Sequence, residues 1–417
     1  MKIVERNLYL DRLVARKHNG MIKVVTGVRR CGKSFLLFEL FYKHLKDSGV
    51  DDSHIVKVDL EDRRNKALRN PDALLSYIDS KLLDESMYYV MLDEVQLVDE
   101  FEDVLNSYLK RKNVDVYVTG SNSRFLSRDV ITEFRGRGDE VKIAPLSFSE
   151  FMQVFQGSRE EALAEYITFG GLPKLFDMPD EKAKMNYLQG LFKKTYLTDI
   201  EERYNIKNCG DLEELIDFVA SSIGGLINPS KISNTFNSIK KSKISQPTIK
   251  NYLDILQDVF LLKKSLRYDV KGKRYIDTPA KYYFEDLGLR NARLNFRQNE
   301  STHLVENLVF NELCIRGMSV DVGVVPLNLT ENGKNVRRQL EVDFVCNQGS
   351  RRLYIQSALH LPDEEKWNQE LRPLRAIGDS FLKFVITADP VKKHQNEDGF
   401  VIMNLFDFLL DENSLGV

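Results

Sequence analysis

Residues 27–34 read Gly-Val-Arg-Arg-Cys-Gly-Lys-Ser, after the β-rich run Met21 to Thr26 and before a stretch with helical spacing. The eight residues satisfy G-x-x-x-x-G-K-[ST] in full. The glycines allow backbone angles that turn successive N–H groups toward a phosphate, and the following helix adds its positive N-terminal end. In that geometry Lys33 reaches the β- and γ-phosphates and the Ser34 hydroxyl binds Mg2+. The expected cradle is Gly27, Val28, Arg29, Arg30, Cys31, Gly32, Lys33, Ser34 and the helix-opening Phe35. A tight strand-to-helix turn that binds nothing is the alternative. The strand before and the helix after are the context the motif requires.

The neighbouring segments continue that unit. Lys33 to Lys46 carries Phe35, Phe38, Phe41, Tyr42 and Leu45 on one helical face. His54 to Leu60 and Met87 to Leu92 are apolar strands, separated by helix-like Pro71 to Leu83. Val98 to Arg111 reads as a helix and Val114 to Thr119 as a strand. Strands alternating with helices imply right-handed crossovers and a parallel sheet, so the fold class is α/β.

The strand Tyr88 to Leu92 ends in Asp93-Glu94. Alone, such a pair is more often a solvated strand end. Beside a phosphate loop, Asp93 is placed to hold magnesium, directly or through water, and Glu94 to polarise the attacking water as general base. A polar residue ending the strand next to the acidic one can touch the γ-phosphate, which nominates Ser121 and Asn122, with helix capping as the alternative. Phe134-Arg135-Gly136-Arg137-Gly138 sets arginines between glycines. Arginine suits γ-phosphate charge, in the same chain or a neighbouring one, and a solvated basic loop is the other reading. The expected catalytic set is Lys33, Asp93, Glu94, Asn122 and Arg137, with Ser34 and Asp93 on the metal.

A length of 417 residues exceeds one average core, so two to four domains are expected. Net charge is −2, which excludes a general polyanion binder and makes any nucleic-acid surface local. The longest apolar runs are strand-sized, far below a membrane span, and the N-terminal MKIVERNLYLDRL has no apolar leader core. Cys31, Cys209, Cys314 and Cys346 show no metal-ligand spacing and read as reduced thiols of a cytoplasmic protein.

Ser147 to Arg203 looks helical, interrupted by Gly170-Gly171-Leu172-Pro173. Further on, Asn228 to Ile239 and the stretch from Gln246 read as two helices around a polar turn, with Ser245 placed to cap the second. Lys231 to Arg274 holds eleven Lys/Arg and three acids, a block of +8. Two short helices before apolar strands resemble a winged helix, and a focused positive patch there is a footprint for duplex DNA, with Lys243, Lys250 and Asn251 as first contacts. Winged helices also serve as protein adaptors.

The last third reads αβββαβ: a helix Ser301 to Arg316, short strands Val320 to Pro326, Leu340 to Cys346 and Leu353 to Ala358, a helix near Asp363 to Leu374, and a strand Leu382 to Ile386. With Glu306 on the first helix and Glu341-Val342-Asp343 on the second strand, this resembles the restriction-endonuclease-like fold. An active member would next carry Glu-x-Lys, but this chain has Gln356-Ser357-Ala358, so the chemistry looks removed.

The order GVRRCGKS, YYVMLDEVQ, VTGSNS, FRGRGDEVKIAPLSFSEF and GGLP resembles the prokaryotic AAA+-type ATPases fused to a C-terminal domain of unknown function. The resemblance implies ATP as the nucleotide, a sheet order 5-1-4-3-2, a helical lid and an arginine finger at Arg137, which from a neighbouring chain would require a homo-oligomer. Leu172 stands where an aromatic is common. The expected domains are an AAA+-like core at 1–146, the lid at 147–205, a winged-helix-like part at 206–290 and an inactive endonuclease-like part at 291–417. Three readings stay open: an ATPase coupled to DNA, a nucleotide-gated protein adaptor, and a metal-dependent nuclease.

Overall fold

A run rich in β-branched residues belongs in the middle of a parallel sheet, covered on both faces. In the computed structural model β1 (Ile22–Gly27) is buried throughout and lies between β4 (Val114–Thr119) and β5 (Gly138–Ile143), parallel to both. β3 (Tyr88–Asp93) follows β4, and β2 (Ile55–Asp59) forms the edge. The order is 5-1-4-3-2, as the resemblance implied.

The structure describes residues 3–120, 136–206, 208–240, 244–297, 300–331 and 334–416, without the side chains of 195, 239–240, 328–331 and 334–337. These fall into two units, one of residues 1–145, 172–174 and 258–260, the other of the remainder.

In the first unit α1 (Asn7–Val14) precedes β1, and α2 (33–47) follows it, with a π-helical middle at Leu36–Phe41. α3 (Pro71–Asp79) begins where the Asn70 side chain accepts the Ala73 N–H and Pro71 occupies the first turn. It ends before the expected Leu83, which is 81% exposed and has no apolar face to join. With α4 (Phe101–Tyr108) it covers one sheet face: Val58, Val90, Leu92 and Val116 pack against Leu74, Ile78, Val104 and Leu105. Each such side chain contributes roughly 1.5–3 kcal/mol. At the N-terminal end of the sheet Lys23 is fully buried against Asp115, whose carboxylate also accepts from the Tyr117 hydroxyl at 2.8 Å and the His18 N–H at 3.0 Å. Removing one partner there strands a buried charge, at a cost of about 3–5 kcal/mol.

The second unit opens with α5 (Phe148–Met152) and α6 (Arg159–Phe169), each started by a Ser/Glu capping box at Ser147/Glu150 and Ser158/Glu161. A helical stretch, α7 (181–204), follows. Then come α8 (Cys209–Ser221), β6 (Leu226–Ile227), α9 (Pro229–Lys240), α10 (Gln246–Asp258), β7 (Leu262–Asp269) and β8 (Arg274–Phe284). After α11 (Leu287–Arg293) the order is α12 (Ser301–Ile315), β9 (Ser319–Glu331), β10 (Lys334–Gln348), β11 (Arg351–Ala358), α13 (Glu364–Arg375) and β12 (Leu382–Thr387). β9 and β10 run well past the expected Pro326 and Leu340, because residues 326–331 and 334–339 pair with each other in an antiparallel ladder. β7 pairs in parallel with β9 at Arg267 and Val322, so β6 to β12, with β13 (His394–Gln395) and β14 (Val401–Asn404), form one sheet of nine strands among the described residues.

Candidate functional site

The phosphate loop joins β1 to α2. Gly27 has φ +139°, and a Cβ there would meet the Ile143 carbonyl oxygen of β5 at 2.0 Å, so only glycine fits. Gly32 takes φ +99° at the start of α2. The buried Lys33 ammonium donates to the carbonyls of Gly27 and Val28, both at 3.1 Å. Ser34 is exposed at the mouth, while Val28 and Cys31 are buried beneath it and Phe35 is half-buried.

Asp93 ends β3 and is 4% exposed. Burial lifts its carboxyl to about 6, against hydrogen bonds from the Thr119 and Ser34 hydroxyls. Thr119, the last residue of β4, is fully buried, donates to Asp93 and accepts the Glu94 N–H at 3.0 Å. Glu94 sits in the left-handed region (φ 52°, ψ 48°), and the Gln96 amide donates to its carboxylate. Lys33, Ser34, Asp93 and Glu94 therefore come together. Their donor set fits a triphosphate with a hard divalent cation: an ammonium and a glycine-rich turn for phosphate, a hydroxyl and a carboxylate for the metal.

Two supports here were not read from the sequence. Thr119 bridges the Asp93 carboxylate and the Glu94 N–H; Ser121 and Asn122, two and three residues later and nominated for the γ-phosphate, lie outside the described residues. Arg6 is 2% exposed, and its guanidinium donates to the carbonyls of Cys31 at 2.9 Å, Ala144 at 2.9 Å and Pro145 at 3.3 Å. It pins the phosphate loop to the exit of β5. A lone arginine before a helix carries no motif, so only its position ahead of β1 was visible.

Arg137 is exposed, and its carbonyl accepts the Ile22 N–H at 2.9 Å, at the N-terminal start of β1 and β5. The loop is at the other end of β1, five residues on from Ile22 to Gly27, or roughly 17 Å at ~3.3 Å per residue. The structure does not bring Arg137 to its own chain's loop.

In the second unit Lys250 and Asn251 are exposed on α10, and Lys243 lies outside the described residues. The basic block is partly spent: Lys264 pairs with Asp277 at 2.5 Å and Arg267 donates to Gln339 at 2.9 Å. Lys271 and Lys273 remain exposed at the β7–β8 turn, while exposed Arg274 lies 3.6 Å from Asp269. Glu306, Glu341 and Asp343 come together around Lys281, which the sequence reading did not single out.

This sheet order, with this loop and acidic strand end, defines a P-loop domain of the AAA type. A family model described as "AAA domain" matches residues 19–152, and one described as "Domain of unknown function (DUF8612)" matches 160–300. An uncharacterized protein of Haemophilus influenzae is 33% identical over 414 residues, covering 98% of this chain and 99% of that one, and the chain belongs to its family. An uncharacterized protein of Methanocaldococcus jannaschii is 29% identical over 91% of this chain and 82% of its own. Among solved structures, the Walker-type ATPase of Pyrococcus abyssi aligns with TM-score 0.50 and 15% identity over 70% of this chain and 96% of that one, a likeness of fold. No helix among the described residues is long and apolar enough to cross a membrane.

Proposed function

We propose that this protein binds ATP with Mg2+, hydrolyses it, and couples that cycle to duplex DNA held by its second unit. The observation that carries the reading is the meeting of Ser34 and Thr119 hydroxyls on the Asp93 carboxylate beside the Lys33 loop. Lys33 exchanges the Gly27 and Val28 carbonyls for phosphate oxygens, and the loop N–H groups take the remaining charge. Mg2+, when bound, neutralises developing phosphate charge, and Ser34 and Asp93 are the residues that would hold it. Glu94 accepts the proton of the attacking water; Thr119 fixes its main chain and Gln96 its carboxylate.

Support for DNA comes from the order α8–β6–α9–α10–β7–β8, which resembles a winged helix. Ser245 caps α10 by accepting the Thr248 N–H at 3.2 Å, and exposed Lys250, Asn251, Lys271 and Lys273 lie on that helix and the hairpin turn. These are the positions from which side chains contact phosphates and base edges. The following α12–β9–β10–β11–α13–β12 order supports an endonuclease-like scaffold behind it.

The test is steady-state phosphate release from ATP with and without duplex DNA, with Glu94→Gln as the blank. Stimulation of several-fold that Lys250→Ala with Lys271→Ala removes supports the coupling. Turnover indifferent to DNA rejects it and leaves a nucleotide-gated protein adaptor.

A further inference from the structure

Lys281 on β8 is 3% exposed, deeper than a lysine sits unless something holds its charge. Its ammonium meets Glu306 Oε1 of α12 at 2.9 Å and Glu341 Oε1 of β10 at 2.8 Å. Burial alone would lower its pKa, but Glu306, Glu341 and Asp343 together hold it above the ordinary lysine range. The lysine stays charged inside the fold.

The carboxylates around it are already occupied. Glu306 Oε1 also accepts the Tyr283 hydroxyl at 2.7 Å, and its other oxygen lies 3.7 Å from His303 Nδ1. Asp343 accepts the Ser357 N–H at 2.8 Å. On β11, where a further carboxylate would complete a metal centre, Gln356 donates its amide to Glu370 at 2.9 Å, and Glu370 is itself paired with Lys366 at 2.7 Å. Among the described residues no group of three or more His, Cys, Asp or Glu is arranged to hold a metal ion. A divalent ion of the magnesium or calcium kind needs several oxygens free at once. Here internal N–H, O–H and ammonium donors take that role.

We propose that the Lys281 ammonium is the resident cation of the Glu306–Glu341–Asp343 cluster, standing where a metal-dependent nuclease would carry a divalent ion, so that this half binds without cutting. The same ammonium ties the β7–β8 hairpin to α12 and β10, which suits a rigid platform behind an exposed basic hairpin. The inference is independent of the ATP site.

The probe is Mn2+ alone, titrated against the full chain without nucleotide and read by electron paramagnetic resonance. Wild type and Glu341→Gln are expected to give superimposable isotherms. Lys281→Met is expected to gain a site at least ~tenfold tighter than any in wild type, lost again in Lys281→Met/Glu341→Gln. A wild-type Mn2+ site that Glu341→Gln removes, or Mn2+-dependent plasmid nicking lost in that variant, overturns the proposal. So does a folded Lys281→Met that gains no site. If Lys281→Met does not fold, the wild-type comparison with half-exposed Glu341→Gln decides alone.

Discussion

The Arg6 guanidinium donates to the Cys31 carbonyl at 2.9 Å, joining the residue before the first helix to the middle of the phosphate loop. Its second bond, to the Ala144 carbonyl at 2.9 Å, reaches the segment that leaves β5. A lysine keeps the charge but not the planar fork that spans both acceptors. Arg6→Lys is therefore expected to fold and to raise KM for ATP about tenfold with kcat changed less than about threefold, since the loop binds phosphate in ground and transition states alike. Steady-state kinetics checks this, and an unchanged KM in a folded variant removes Arg6 from the site. Arg6→Ala should cost more stability, about 3 kcal/mol, because buried carbonyls lose their donor.

Thr119 serves two neighbours with one hydroxyl, donating to Asp93 and accepting from the Glu94 N–H. Thr119→Val keeps the shape and deletes both bonds. The Mg2+ concentration for half-maximal turnover is expected to rise about 10- to 100-fold, the usual effect of losing an orienting partner behind a metal ligand. Nucleotide binding without metal should change little, because the Lys33 loop is untouched. A magnesium dependence equal to wild type would show that the bridge is structural only.

The five-stranded sheet was legible because Ile22–Gly27 and Tyr88–Asp93 are buried along their whole length, and such strands read as β-rich runs broken only by single polar residues such as Lys23. The loop and acidic pair were legible because phosphate chemistry leaves few residue types to choose from. Thr119 was not, since threonine at a strand end is also an ordinary strand former. Arg6 was not, because its partners are main-chain carbonyls, which leave no trace in side-chain patterns. Lys281 escaped for a related reason: it sits on β8, outside the helix and strand that carry the three carboxylates. The junction of β7 with β9 is backbone pairing between distant segments, which composition does not encode.

Asp286 is 2% exposed and accepts the N–H groups of Gly171 at 2.9 Å and Leu289 at 3.0 Å. A Cβ on Gly170 would come within 2.4 Å of the same carboxylate and one on Gly171 within 2.4 Å of the Leu146 carbonyl oxygen, which explains the glycine pair before Leu172. Burial raises its pKa from 3.8 to about 6, against those backbone donors. A carboxyl raised on folding adds stability that is fully present below pH 3.8 and is lost as pH rises through about 6. Relative to Asp286→Asn, wild type should therefore be more stable near pH 4.5 than near pH 7, by about 2 kcal/mol. Denaturant unfolding at the two pH values measures the difference. A pH-independent gap would mean that Asp286 keeps its ordinary pKa.

Arg137 immediately precedes β5 at the end of the sheet away from the phosphate loop, and its carbonyl accepts the Ile22 N–H at 2.9 Å. If it meets a γ-phosphate, that phosphate belongs to a neighbouring chain. Arg137→Ala is expected to lower turnover about 10³-fold with nucleotide affinity nearly unchanged, the usual worth of an arginine supplied to phosphoryl transfer. Mixing it with equally inactive Glu94→Gln should then restore part of the activity. A Glu94→Gln chain still offers its arginine, and an Arg137→Ala chain still offers its general base. Two variants on one chain act in cis and cannot complement. Recovery on mixing, with a specific rate that climbs with protein concentration, assigns the arginine to an oligomer; no recovery withdraws Arg137 from catalysis.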